Sequence, residues 1–176
     1  MQTTKKKLYW DSCVFLAWIY DEPNEPSIVE GMEEVVRDVD ANRIILITSV
    51  VTRSEILESR MTPDIKGKFD SLFSRRNVVM IELDHRISDL SHEIRDYYDQ
   101  REIKLTTSDC HHIATAIKHR ADEFQTLDGA GKKKRGKLLP LNGVIAGRYR
   151  LKICKPSPSS QQPSLLTIIK PPKKES

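Results

Sequence analysis

Four acidic residues are the strongest candidates for chemistry in this chain, and we refer to them as the acidic quartet: Asp11, Glu55, Asp109 and Asp128. Carboxylates brought within a few ångströms of one another repel, and a hard divalent cation removes that repulsion. Carboxylate and water ligands suit Mg²⁺ or Mn²⁺. Such a metal lowers the pKa of a bound water and stabilises charge on a scissile phosphate. If the quartet converges, the pattern indicates a metal-dependent phosphodiesterase.

Members of the quartet also have ordinary structural explanations. Asp109 follows Ser108 at the start of a predicted helix, where a negative charge is favourable. Asp128-Gly129 is a common turn sequence. The residues alone therefore leave two interpretations open, a catalytic cluster and four isolated carboxylates.

The segments around these acids predict the frame that would position them. Short apolar runs predict strands at 8–10, 44–47, 78–81, 124–127 and 148–154. Helical spacing or capping residues predict helices from 14, over 27–42, through 55–57, over 87–97 and from 107 to about 120. This alternation indicates a single α/β domain with a mostly parallel sheet flanked by helices. Ligands of such sheets bind beyond the carboxyl ends of the strands, where acids distant in sequence can converge.

Two helix starts are predicted from capping residues. Ser27 and Glu30 have the spacing of a capping box. Thr107-Ser108 can cap the helix that carries Asp109.

The net charge of +4 conceals an uneven distribution. Residues 1–131 contain 17 Lys and Arg against 24 acids, a net −7, whereas residues 132–176 contain 12 bases against one acid, a net +11. A basic end indicates a polyanionic partner, although a solubilising tail would give the same composition. We predict a domain over 1–155 and a Pro-, Ser- and Lys-rich tail over 156–176 that is flexible or docks on a partner. The apolar, β-prone stretch 165–169 suits docking on a sheet edge.

Several other classes of protein are disfavoured. No apolar run approaches the roughly 20 residues of a membrane span, and the N-terminus lacks the pattern of a signal peptide. Cys13, Cys110 and Cys154 are odd in number and lack metal-ligand spacing, as expected for free thiols in a reducing compartment. A soluble, cytoplasmic protein without a membrane partner is expected.

Histidine and cysteine residues lie next to two members of the quartet. His112 is three residues after Asp109 and can share its helix face. Because no partner histidine recurs at metal-site spacing, we predict a packing or supporting role for His112. Cys13 follows Asp11 by two residues, but no His–Asp pattern surrounds it, so a nucleophilic role is not expected.

Four segments resemble PIN domains, and the resemblance covers roughly residues 8–155. Tyr9-Trp10-Asp11-Ser12 resembles the apolar-Asp-Ser/Thr opening of the family, and the segment from Thr48 to Leu57 resembles the helix that carries its Glu. The stretch 105–116 resembles the helix with the third Asp, and 121–128 resembles the closing Thr-x-Asp strand. Toxin ribonucleases of the VapC type are the most similar subgroup in size.

The resemblance implies a PIN-like nuclease in which the acidic quartet binds Mg²⁺ or Mn²⁺ and positions the attacking water. It implies an endoribonuclease that cuts RNA to leave a 5′-phosphate and a 3′-hydroxyl. Ser12 and Thr126 match positions whose hydroxyls hold water or carboxylate, or else cap the backbone. A DNA-directed nuclease and a non-catalytic module that binds RNA or protein stay open as alternatives.

A basic run follows the last member of the quartet and consists of Lys132, Lys133, Lys134, Arg135 and Lys137. Its position favours contacts with the phosphates that flank the cut, although a solvated loop is the alternative. The basic run and the tail have no counterpart in minimal VapC-type toxins. The resemblance leaves open two protein partners, an antitoxin and a second copy of the chain in a homodimer.

Overall fold

Strands and helices alternate along the chain. The computed structural model describes residues 4–56, 61–129 and 137–161. The strands are β1 (Lys6–Trp10), β2 (Ile44–Ser49), β3 (Val78–Ile81), β4 (Glu123–Gln125), β5 (Gly143–Ile145), β6 (Tyr149–Leu151) and β7 (Ile153–Cys154). The helices are α1 (Ser12–Ile19), α2 (Pro26–Asp40), α3 (Val50–Glu55), α4 (Pro63–Phe73), α5 (His85–Asp99) and α6 (Thr107–Lys118). Within these described ranges, no helix has the length and apolar character needed to cross a membrane.

β1 lies at the centre of a five-stranded sheet with the order β3-β2-β1-β4-β7, in which every pairing is parallel. The register places Tyr9 of β1 beside Ile47 of β2 and Phe124 of β4. β5 and β6 form a separate antiparallel hairpin. Because the strands of the central sheet run in one direction, β1, β2 and β4 end at the same edge. The predicted α/β class with a mostly parallel sheet is therefore confirmed.

The central sheet is buried on both faces. Leu8 and Trp10 of β1 pack with apolar residues of α1, α2 and α4 on one face, whereas Tyr9 packs with α5 and α6 on the other. This alternation follows from the two-residue period of a strand. Burial on both faces explains why residues 8–10 of β1 and 44–47 of β2 are continuous apolar runs in the sequence.

The capping of two helices differs from the prediction. α2 begins at Pro26, and its N-cap, Glu25, makes no side-chain capping bond. The helix therefore does not start at the predicted Ser27–Glu30 box, since proline at the first position already sets the backbone torsion that a helix needs. α6 is capped by Thr106, one residue before the predicted Thr107-Ser108.

Two regions contain structure that the sequence analysis does not predict. α4 follows Thr62, whose Oγ1 accepts a hydrogen bond from the Ile65 backbone N at 3.4 Å. A Thr-Pro pair at this place is a recognisable helix start. The predicted single strand over 148–154 is two strands, because β6 folds back on β5 while β7 joins the central sheet. The turn between β5 and β6 places Ala146 and Gly147 at positive φ, which reverses the chain.

Residues 155–161 cross the surface of α2. Both prolines of this segment are buried, and the backbone N of Ser159 donates to Glu34 Oε2 at 3.0 Å. A Cβ atom on Gly31 would lie 2.4 Å from the backbone N of Ser157. The crossing therefore depends on the absence of a side chain at Gly31.

The predicted tail over 156–176 thus has a packed beginning, because residues 156–161 lie against α2. Residues 162–176, with the apolar stretch 165–169, lie outside the described residues. The domain boundary at residue 155 stays a prediction.

A pair of glycine substitutions tests this packing. Gly31→Ala should lower the free energy of unfolding by about 1–3 kcal/mol, because the backbone of the crossing segment must move away. Gly67 is the matched control, since it lies inside α4 with nothing within 4 Å of the position its Cβ would take. Gly67→Ala should raise the free energy of unfolding by roughly 0.5–1 kcal/mol. Urea denaturation of both variants measures the difference, and an equal response would contradict the close approach at Gly31.

Candidate active site

The acidic quartet lies at the carboxyl end of the central sheet. Asp11 directly follows β1, Asp128 lies shortly after β4, and Glu55 belongs to the helix that begins where β2 ends. Asp109 is in the first turn of α6. The charge of Asp11 acts on both Asp109 and Asp128. His112 Nε2 lies 3.1 Å from Glu55 Oε2 and 3.7 Å from Asp11 Oδ1. The fold therefore brings the four acids to one place.

Glu55 is the last residue of α3. α3 has six residues, and Ile56 after it has an extended backbone, so the predicted continuation of the helix through Ile56 is wrong. Leu57 lies outside the described residues. A carboxylate at the end of so short a helix depends on side-chain contacts for its position.

Asp11 is buried and surrounded by donors. Its Oδ1 accepts from the backbone N of Ser12 at 2.8 Å and from the Ser12 hydroxyl at 3.4 Å. Its Oδ2 accepts from Thr126 Oγ1 at 2.8 Å. Both hydroxyls that the sequence analysis selected therefore contact this carboxylate.

Cys13 is a neighbour of Asp11 that the sequence analysis did not place at the site. Its thiol donates to Asp11 Oδ2 at 3.2 Å, and its sulfur accepts from the backbone N of Leu127 at 3.2 Å. Burial, followed by the charge of Asp11, raises the pKa of this thiol. Cys13 therefore stays a neutral hydrogen-bond donor. The sequence signal that could have placed it at the site is its position two residues after Asp11, which caps α1.

Asp109 forms a capping box with Thr106. Its backbone N donates to Thr106 Oγ1 at 3.1 Å, and its Oδ2 accepts from the Thr106 backbone N at 2.9 Å. Asp109 therefore has a structural role at the start of α6, and this role uses only its Oδ2. Burial raises the pKa of Asp109, and the charge of Asp11 adds to this against the opposing bonds to Thr106.

Asp128 lies beyond the end of β4, which is Glu123–Gln125 and not the predicted 124–127. Its backbone N donates to Thr126 Oγ1 at 3.0 Å, so this hydroxyl links Asp128 to Asp11. Burial raises the pKa of Asp128, followed by the charges of Asp109 and Asp11. Three carboxylates therefore influence one another across the site.

His112 is buried beside Glu55. Burial opposes the ionisation of Glu55, but hydrogen bonds from His112, Ser12 and Ser108 prevail and lower its pKa to about 2. Burial likewise opposes a charge on His112, yet the bond to Glu55 and the charge of Asp11 raise its pKa. Glu55 is therefore ionised at neutral pH and held by its neighbours.

The carboxylate oxygens of the acidic quartet are ligands of the kind that a hard divalent cation prefers. Within residues 4–56, 61–129 and 137–161, no three His, Cys, Asp or Glu side chains are grouped as a ready-made metal site. The quartet nevertheless offers oxygen ligands, which Mg²⁺ and Mn²⁺ prefer. The raised pKa values of Asp109 and Asp128 reflect burial and charge repulsion that a nearby cation would relieve.

The basic run is only partly described. Lys132, Lys133, Lys134 and Arg135 lie outside the described residues, whereas Lys137 is described and its charge acts on Asp128. The backbone N of Leu139 donates to the carbonyl of Asp128 at 3.1 Å. The residues that follow the basic run therefore lie close to Asp128, which precedes it.

Comparison with known proteins identifies one matching family model, that of the PIN domain, over residues 8–137. No curated protein sequence matches the chain. Among solved structures, VapBC2 from Rickettsia felis bound to a DNA fragment from its promoter is 15% identical, with a TM-score of 0.55 over 68% of this chain and 86% of that chain. FitAcB from Neisseria gonorrhoeae is 15% identical, with a TM-score of 0.48 over 69% and 87%. DNA-bound VapBC from Salmonella typhimurium is 13% identical, with a TM-score of 0.48 over 65% and 81%. At these identities the first likeness establishes a shared fold.

Proposed function

Because the chain belongs to the PIN-domain family, whose members are generally nucleases, we propose that it is a divalent-metal-dependent endoribonuclease. The observation that carries this proposal is the convergence of the acidic quartet at the carboxyl end of the sheet, where His112 Nε2 lies 3.1 Å from Glu55 Oε2 and 3.7 Å from Asp11 Oδ1. An acidic pocket repels an anionic substrate, and a bound cation resolves that conflict. The same fold in a promoter-bound VapBC2 complex supports the assignment to this family of hydrolases.

The acidic quartet would hold Mg²⁺ or Mn²⁺. When bound, such an ion supplies an activated water and offsets charge that develops on the phosphate. Thr126, Ser12 and Cys13 keep the carboxylate of Asp11 in one orientation through the bonds described above. Glu55 is ionised and lies at the same edge, where it can accept a hydrogen bond from the attacking water. Hydrolysis then leaves a 5′-phosphate and a 3′-hydroxyl.

The partners follow from the charge distribution and from the relatives. RNA is the proposed substrate, and the basic run is proposed to bind phosphates beside the cut because the chain enters and leaves it near Asp128. An antitoxin is proposed as a further partner because the chain shares its fold with a VapBC2 complex. A place in the cytoplasm is part of the same proposal. A homodimer remains part of the proposal. Retention of all four acids favours an enzyme over a non-catalytic module.

The experiment that tests this function is a cleavage assay with the purified full chain. Single-stranded RNA should be cut in the presence of Mg²⁺ or Mn²⁺ and left intact after EDTA is added. Single-stranded DNA of the same sequence separates an RNA-directed from a DNA-directed nuclease. Full activity in EDTA would refute metal dependence, and cutting of DNA alone would refute the proposed substrate.

The basic run and the end of the tail should differ in their effects on RNA binding. Replacing Lys132, Lys133, Lys134 and Arg135 by Gln should weaken binding, because basic side chains that bind phosphates release counterions from the nucleic acid. The slope of log affinity against log salt should fall by roughly one unit for each phosphate that the variant no longer neutralises. Fluorescence anisotropy at several salt concentrations measures both quantities.

Deletion of residues 162–176 is the matched control for the basic-run variant. It spares the segment packed on α2 and should leave RNA affinity unchanged while altering self-association, visible by light scattering. The reverse outcome, with RNA binding abolished by truncation and kept in the variant of the basic run, would make the tail the nucleic-acid-binding element.

A further inference from the structure

His112 joins the hydrophobic core to the acidic quartet. Its side chain is 1% exposed, and its Nδ1 lies 2.7 Å from the Tyr9 hydroxyl. Its Nε2 lies on the opposite side of the ring, 3.1 Å from Glu55 Oε2. The imidazole therefore spans the distance between a residue of the central strand and a carboxylate of the site.

Tyr9 is a rigid support for this imidazole. Its ring is fully buried and stacks on Phe124 at a centroid distance of 5.0 Å. It also contacts the His112 ring edge-on at 5.9 Å. Because the hydroxyl is anchored through a strand in the middle of the sheet, its position does not depend on the loops around the site.

The hydrogen bonds fix the direction in which His112 donates. The Tyr9 hydroxyl has one proton to give, and the ionised Glu55 carboxylate can only accept a hydrogen bond. If the imidazole is neutral, Tyr9 donates that proton to Nδ1, so Nε2 carries the hydrogen and donates to Glu55. If the imidazole is protonated, both nitrogens donate. Nε2 is a donor to Glu55 in either state.

Glu55 needs such a partner more than Asp11 and Asp109 do. It ends a six-residue helix, and its side chain is 30% exposed. Asp11 and Asp109, in contrast, each accept backbone N–H bonds at the start of a longer helix. The bond from His112 is therefore a main restraint on where the Glu55 carboxylate lies.

We propose that His112, supported by Tyr9, is a positioning residue that holds the Glu55 carboxylate in the orientation required for metal and water binding. The inference rests on the proposed function. Partners of this kind around a metal site typically contribute about 10–100-fold to metal affinity or activity. His112 itself need not contact the metal or the substrate.

Mn²⁺ affinity, measured by calorimetry on the purified protein, tests this role apart from activity. His112→Leu removes the donor and should weaken Mn²⁺ binding by about 10–100-fold. His112→Gln keeps a side-chain N–H and should restore much of the affinity. Tyr9→Phe removes only the hydroxyl and should weaken binding in the same direction by a smaller factor. His111→Leu, at the neighbouring histidine of α6, is the matched control and should leave Mn²⁺ affinity unchanged.

The thermal midpoint of each variant separates positioning from general stability. Equal loss of midpoint in His112→Leu and His112→Gln, with Mn²⁺ affinity as in the wild type, would overturn the inference and leave the proposed function standing. A wild-type protein that binds no Mn²⁺ and cuts no RNA would overturn the proposed function together with the inference. Recovery of affinity in His112→Gln at an unchanged midpoint supports positioning.

Discussion

Asp11→Asn, Asp109→Asn and Asp128→Asn are each expected to lower the rate of RNA cleavage by about 10²–10⁴-fold, because each removes a charge that would hold the metal or stabilise the transition state. Asparagine keeps the size of the side chain and one acceptor oxygen. The bonds that Asp11 Oδ2 accepts from Thr126 and Cys13 can therefore persist in part. Initial rates with RNA in excess measure the effect, and circular dichroism checks that the fold is retained.

Asp89→Asn provides the control for these three variants. Asp89 is exposed on α5 and lies outside the acidic quartet, so its loss removes one acid from the surface without touching the site. Cleavage by Asp89→Asn should match that of the wild type. Wild-type rates in Asp11→Asn, Asp109→Asn and Asp128→Asn together would contradict the assignment of the quartet.

Mn²⁺ is expected to raise the thermal midpoint of the wild-type protein. A metal that binds only the folded state, at a concentration of 100 times its Kd, adds about 2.7 kcal/mol. For a chain of this length, that gain corresponds to a shift of about 5–10 °C. The physical reason is relief of the repulsion that contributes to the raised pKa of Asp109 and Asp128. Differential scanning fluorimetry with and without Mn²⁺ measures the shift.

Asp128→Asn tests the same link between metal binding and stability in the metal-free protein. A carboxylate whose pKa is higher in the folded protein than in the unfolded chain makes a favourable contribution that is fully present below the unfolded pKa. This contribution is lost as pH rises through the folded pKa, so that the ionised carboxylate lowers the stability of the fold at neutral pH. At neutral pH the variant should therefore melt above the apo wild type and respond less to Mn²⁺. Asp128 suits this test better than Asp11 or Asp109, whose carboxylates accept backbone N–H bonds at the starts of α1 and α6. Midpoints indifferent to Mn²⁺ in both proteins would argue against a shared metal site.

The location of the acids could be predicted because it depends on local pattern. The apolar run before Asp11 and the β-branched run of β2 are signals of buried parallel strands, and parallel strands must end together. The hydroxyls of Ser12 and Thr126 are close in sequence to Asp11 and Asp128. Their contacts with Asp11 follow once those strand ends are adjacent.

The contacts of His112 could not be predicted in the same way. Its bond to Glu55 joins residues 57 positions apart, and its bond to Tyr9 joins residues 103 apart. Both depend on the packing of α6 against the sheet, which no local spacing encodes. The capping of α6 by Thr106 was also not predicted, because several consecutive hydroxyl residues can cap a helix and only the backbone path selects one.

The nature of the cleaved ends tests the central claim most directly. RNA is cut by the wild-type protein with Mn²⁺ in water enriched in ¹⁸O, and the products are analysed by mass spectrometry. Water activated at the acidic quartet should leave a 3′-hydroxyl and a 5′-phosphate that carries one ¹⁸O atom, and no product should form in EDTA. Products with a 2′,3′-cyclic phosphate and a 5′-hydroxyl, formed equally well in EDTA, would show that the RNA 2′-hydroxyl is the nucleophile and would contradict the account.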